Sequence, residues 1–154
     1  MMKISVVSAL VLLLLFPATA LAKMPVESLT IVTKNGVKHD FTVEIARADE
    51  EKERGLMFRM GLPENGGMFF LFDTEGERNF WMKSTYIPLD LLFIKKSGVI
   101  SHIHENAVPH SLMPLVSNGP VLNVLEISGG AAARLGIKEG DTVHHKTFGN
   151  VLAK

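Results

Sequence analysis

Residues 79–94 read NFWMKSTYIPLDLLFI. Apolar side chains dominate from position 80 onward, as in strands buried on both faces. Yet Lys83 and Asp90 sit inside the run. A charge withdrawn from water is costly unless it is paired or hydrogen-bonded. The pattern predicts two strands, residues 80–83 and 89–94, joined across residues 84–88. Such a hairpin would bring Lys83 and Asp90 within reach of each other. One reading is a partly buried ion pair that fixes hairpin register. The other is a pocket in which Lys83 meets an anion or carbonyl and Asp90 orients it. By strand alternation Asp90 shares a face with Leu92 and Ile94, and Lys83 shares one with Trp81. Trp81 either lines a pocket or fills the core.

Working outward, SLTIVTKNGVKHDFTVEIA (residues 28–46) places alternating apolar positions on both sides of Asn35-Gly36, the signature of a β-hairpin. In the following RADEEKERG, Asp49 is expected to cap a short helix that Glu50 and Glu51 favour and Gly55 ends. Met68 to Phe72 form a short apolar run between turn-forming segments, and strands are expected again at residues 99–104 and 121–127. Near the end, Ser128 is expected to cap a helix through residues 131–135. Gly136 stops it, and Gly140-Asp141 turns into a last strand. The sum is a mainly β chain, a compact small barrel or sandwich of about seven to eight short strands with two short helices.

The N-terminal 22 residues have a different character. Lys3 precedes an apolar run from Val6 to Phe16, and small residues lead to Ala20-Leu21-Ala22. This is the layout of a secretory signal peptide. Cleavage after Ala22 is expected, with an uncleaved anchor as the alternative. The run is short for a membrane span of about 20 residues. No cysteine is present, which excludes a lipoprotein anchor, a disulfide scaffold and a thiol oxidoreductase. Residues 23–154 are then one mainly β domain, periplasmic or secreted, whose stability rests on its core. Without Lys3 the chain carries 15 basic and 16 acidic side chains. That balance argues against a nucleic-acid or anionic-membrane surface.

Five segments occur in a distinctive order: ERGLMFR (53–59), GGMFFLF (66–72), FWMKSTYIPLDLLFI (80–94), IHENAVP (103–109) and LEISGGAAARLGIKEGD (125–141). Together they resemble the Domain of Unknown Function 192 family, a group of small, often exported bacterial and archaeal proteins. The resemblance spans nearly all of the chain after residue 22. It implies a compact barrel-like β domain, and it implies no assigned activity.

Other polar residues lie in or beside apolar segments. Arg54 and Arg59 flank Leu56 to Phe58 and suit carboxylate or phosphate capture. They suit equally a structural pair with Glu126, the lone charge in VLNVLEI. His102 and His104, two apart on an expected strand, share a face and suggest a weak metal site to which Glu105, Asp90 or His110 would add. Against it, Glu105 would point to the opposite face. Met57, Met60, Met68, Met82 and Met113 suggest soft Cu(I) ligation, although Met in apolar runs fills core gaps. His144-His145 reads as a surface pair.

Catalytic signatures such as G-x-S-x-G, H-E-x-x-H and a phosphate-binding glycine loop are missing, and the sequence calls for no cofactor. The first reading is therefore a binding or accessory module for a small polar ligand or an envelope partner. Its candidate contacts are Arg54, Arg59, Trp81, Lys83, Asp90, His104, Glu105 and Glu126. The alternatives are a hydrolase with His104 or Glu105 as base and Arg54 or Lys83 stabilising negative charge, a copper-binding protein, or a protein whose charges only hold the fold. Both the binding and the hydrolase readings expect Arg54, Lys83, Asp90 and His104 to converge on one cleft.

Overall fold

The computed structural model describes residues 23–153, so the expected leader, residues 1–22, lies outside the described residues. Strand β1 (Val26–Val32) turns at Gly36, φ +80°, into β2 (Lys38–Ala46). The Asn35-Gly36 hairpin forms where the sequence places it. Helix α1 (Asp49–Arg54) follows. Asp49 is its first residue rather than its cap. The Glu51 carboxylate instead accepts the N–H groups of Arg47 and Ala48 at 2.8 and 2.9 Å, and Asp49 pairs with Lys52 at 2.9 Å. Gly55, φ +48°, ends the helix as expected.

The chain then enters β3 (Gly66–Gly76), which runs parallel to β2. The expected strand at residues 80–83 shrinks to β4 (Asn79–Phe80). Beyond it the chain turns. The Thr85 N–H bonds to the Met82 carbonyl at 3.1 Å, and Ser84 takes φ +53°. No hairpin joins this segment to β5 (Leu89–Ile94). Strands β6 (Ile100–Ala107) and β7 (Leu115–Val116) come next, and β4 pairs with β7, a strand the sequence pattern does not mark. The remaining elements are β8 (Val121–Ser128), α2 (Ala131–Leu135) and β9 (Thr142–His144). Gly136, φ +69°, stops α2 as predicted, but Ser128 is the last residue of β8 and does not cap the helix.

The main sheet runs β6-β5-β8-β3-β2-β1-β9. It curls until its edges meet at one end. There Val99 bridges Thr142, and the Ile100 N–H bonds to the Asp141 carbonyl at 2.9 Å. The result is a half-barrel. Its inside is filled from every strand, for example by Ile31, Val43, Phe69, Leu92, Leu125 and Val143, and α2 contributes Ala131 and Ala132.

A second core covers the outside of the central strands, where Met68, Phe70, Leu91 and Val124 meet Leu56, Met82 and Leu115. The central strands β3, β5 and β8 are thus buried on both faces. That explains their near-continuous apolar sequences. His145, expected at the surface, is only 3% exposed. It meets Glu27 at 2.9 Å through Nε2 and accepts the Thr147 N–H at Nδ1. Burial pulls its pKa down, with the Glu27 carboxylate opposing, so the imidazole is a neutral part of the core. Among the described residues no helix is long and apolar enough to cross a membrane.

Candidate functional site

The charge pattern of residues 79–94 resolves into two separate places. Asp90 is fully buried on the inward face of β5. Its Oδ1 accepts the N–H groups of Asn106 and Gly130 at 2.8 and 2.9 Å, and its Oδ2 accepts the Ala132 N–H at 2.8 Å. It therefore ties three segments together: the start of β5, a left-handed position in β6 (Asn106, φ +52°) and the entry to α2. Nearby, Gly129 has no room for a side chain, because a Cβ there would lie 2.7 Å from Asn106 Oδ1. Three of the distinctive sequence segments, PLD, HENAVP and ISGG, meet at this junction.

Lys83 has no part in the junction. It is exposed, with its Nζ 5.1 Å from the centroid of the Trp81 ring. The Lys83–Asp90 pair expected from sequence does not form, because the turn at Ser84 sends the two residues to different faces. Replacing Lys83 by alanine is accordingly expected to change unfolding free energy by no more than about 0.5 kcal/mol. A loss above about 2 kcal/mol in urea denaturation would restore a structural role.

Lys83 instead borders a cavity of about 860 Å³ on the outer face of the half-barrel. Glu126 lies at its floor, 4% exposed, with Met68 of β3 on one side and Leu91 of β5 on the other. Among the described residues its carboxyl has no hydrogen-bond or ion partner, and desolvation pushes its pKa up to about 8. The expected pairing with Arg54 or Arg59 is absent. Arg59 meets Glu44 at 2.6 Å, while Arg54 stands at the cavity rim.

Phe70, Phe72, Phe80 and Trp81 supply aromatic walls, with the Phe70 and Phe80 rings edge-to-face at 5.1 Å. A smaller hollow of about 430 Å³ shares Asn79, Phe80 and Trp81, which makes the half-exposed indole a ridge between the two. Arg78, which sequence reading passed over, lies 3.9 Å from the Phe72 centroid and donates to the Thr74 carbonyl, while its buried Nε finds no acceptor.

Four of the sequence candidates thus meet at one cavity: Arg54, Trp81, Lys83 and Glu126. Arg59, Asp90, His104 and Glu105 lie outside its wall. His104 shares the cross-sheet row of Leu91 and Glu126 but sits two strands from Glu126, a separation of about 10 Å. His102 bonds through Nδ1 to Glu139 at 2.9 Å and stacks on Phe93. Among the described residues no three His, Asp or Glu side chains gather where they could hold a metal. Of the methionines, Met68 and Met82 are fully buried in the outer core, and Met60 and Met113 are strongly exposed.

Fold and site together define a small mainly β half-barrel with a carboxyl-floored cavity on its outer face. The chain belongs to the Domain of Unknown Function 192 family, described as uncharacterized ACR, whose model matches residues 30–145. It is similar to a solved structure of a putative transcription regulator from Sinorhizobium meliloti 1021. That match is at 41% identity and TM-score 0.81, covering 83% of this chain and 99% of the other. It is also similar to a protein of unknown function from Novosphingobium aromaticivorans DSM 12444, at 42% identity and TM-score 0.77, covering 84% and 90%. No curated protein matches the chain.

Proposed function

We propose that the chain is an exported binding module that takes a small polar ligand into the cavity above Glu126. The observation that carries the reading is a carboxyl 4% exposed and without a partner, facing a space large enough for a small molecule. A carboxyl reached only from a cavity and left without a protein partner is where a ligand's donor group would belong. The volume falls within the range of small-molecule sites, about 300 to 1,000 Å³. Aromatic walls would bury the ligand body, while Arg54, Lys83 and Trp81 border the entrance. Export rests on the leader-like pattern of residues 1–22.

Native mass spectrometry of the full, untagged protein taken directly from producing cells tests the reading. A ligand-sized extra mass is expected, and Glu126→Leu should remove it while leaving the fold intact by circular dichroism. The chain has a single tryptophan, so Trp81 fluorescence reports on the cavity and the hollow beside it. A bare mass, together with no Trp81 response to a small-molecule extract of the same cells, would sink the proposal.

A further inference from the structure

We infer that the cavity selects organic cations, with an ammonium head group inserted between the aromatic walls to pair with Glu126. The inference rests on the binding reading above and adds the class of ligand. Glu126 and Thr85 are the deeply buried polar side chains in its lining; Thr85 is bonded to the Lys83 carbonyl, while Glu126 lacks a counter-charge among the described residues.

The walls already attract cations. Lys52 Nζ lies 5.0 Å from the Phe72 centroid, Arg78 stacks on the same ring, and Lys83 lies over Trp81. Aromatic faces hold ammonium groups by their quadrupole, more strongly where water is excluded. The charge balance of the rim points the same way. Of its bases, Lys52 pairs with Asp49, while Arg54, Arg78 and Lys83 make no ion pair among the described residues. Of its acids, Glu50, Glu53 and Glu77 make no ion pair among the described residues, and Glu126 below them makes none. With Glu126 ionised, four unpaired acids therefore face three unpaired bases.

Choline carries both an ammonium head and a hydroxyl. Its neutral isostere, 3,3-dimethylbutan-1-ol, and the anion 3,3-dimethylbutanoate keep the shape and change only the charge. Each would be titrated into the full-length protein and followed by Trp81 fluorescence across pH 6 to 9. The titratable groups lining the cavity beside Glu126 from α1 are Glu50, Lys52, Glu53 and Arg54. From the segment around β4 they are Glu77, Arg78 and Lys83. The sheet itself offers Met68 and Leu91 as direct neighbours, with His104 one strand beyond Leu91.

Choline binds the carboxylate form and must displace the Glu126 proton below its pKa. Its affinity should rise about tenfold per pH unit from pH 6 to about 8, then level off. Glu126→Gln should abolish this slope and lower affinity at pH 9 at least about tenfold. Equal binding of the neutral isostere, or tighter binding of the anion with affinity falling as pH rises, would overturn the cation assignment while leaving a ligand cavity in place. Absence of any response to all three probes in a folded protein would overturn the cation assignment, while the binding reading falls only on a bare native mass and no response to the cell extract.

Discussion

Asp90→Ala is expected to lower the unfolding free energy by about 4 kcal/mol or more. The carboxylate is fully buried, and its two oxygens accept three backbone N–H groups, from Asn106, Gly130 and Ala132. Alanine would strand those donors in the interior, each at about 1 to 3 kcal/mol, and would open a void. Against a typical total of about 5 to 15 kcal/mol, the variant would fold marginally. Asp90→Asn keeps an accepting oxygen but turns an amide N–H₂ toward a donor, so about half the loss is expected. Urea denaturation gives the magnitudes, and amide exchange gives the location: protection should fall first at Gly130 and Ala132. A loss below about 1 kcal/mol for the alanine variant would show that α2 and the left-handed position at Asn106 hold themselves without Asp90.

Asp90 also shows where sequence reading stops. The Asn35-Gly36 hairpin, the glycine stops of α1 and α2 and the buried central strands were legible because each depends on neighbours within a few residues. The cap of α2 was not, because its acceptor reaches Ala132 across 42 residues, and no local spacing encodes such a bond. Lys83 and Asp90 are close in sequence, which suggested a pair. Ser84 at φ +53° breaks that inference, and a serine in the left-handed region gives little warning in composition. Strand β7 was missed for a related reason: two residues beside Pro114 carry no periodicity, and their partner β4 is just as short.

The cavity was half legible. A lone charge in an apolar strand marked Glu126, and a charged residue beside Trp81 marked Lys83. Arg78 was passed over because Asp73 to Gly76 before it read as a turn, whereas β3 continues through them. Only its stacking on Phe72 brings it to the wall.

The second large effect is a loss of stability with rising pH that Glu126→Gln removes. Burial holds the folded-state pKa near 8, against an ordinary value of 4.5. Between those values the folded chain keeps a proton that the unfolded chain has released, so each pH unit costs about 1.4 kcal/mol. Relative to an ordinary glutamate, nothing is lost below pH 4.5, where both states are protonated, and the loss is complete above about pH 8. Integrated over that window, the loss from this group is on the order of 5 kcal/mol. Glutamine fills the same space without a charge to desolvate, so the variant should match the parent near pH 5 and exceed it by several kcal/mol at pH 9. Buried His145 acts on the acid side, since its depressed pKa makes stability fall as pH drops below about 6.5. Its contribution is common to parent and variant and cancels in their difference. Urea midpoints measured in parallel across this range isolate Glu126. Parallel pH profiles for the two proteins would mean that water or a neighbouring charge reaches the carboxyl. The unsatisfied floor that gives the cavity its preference would then not exist.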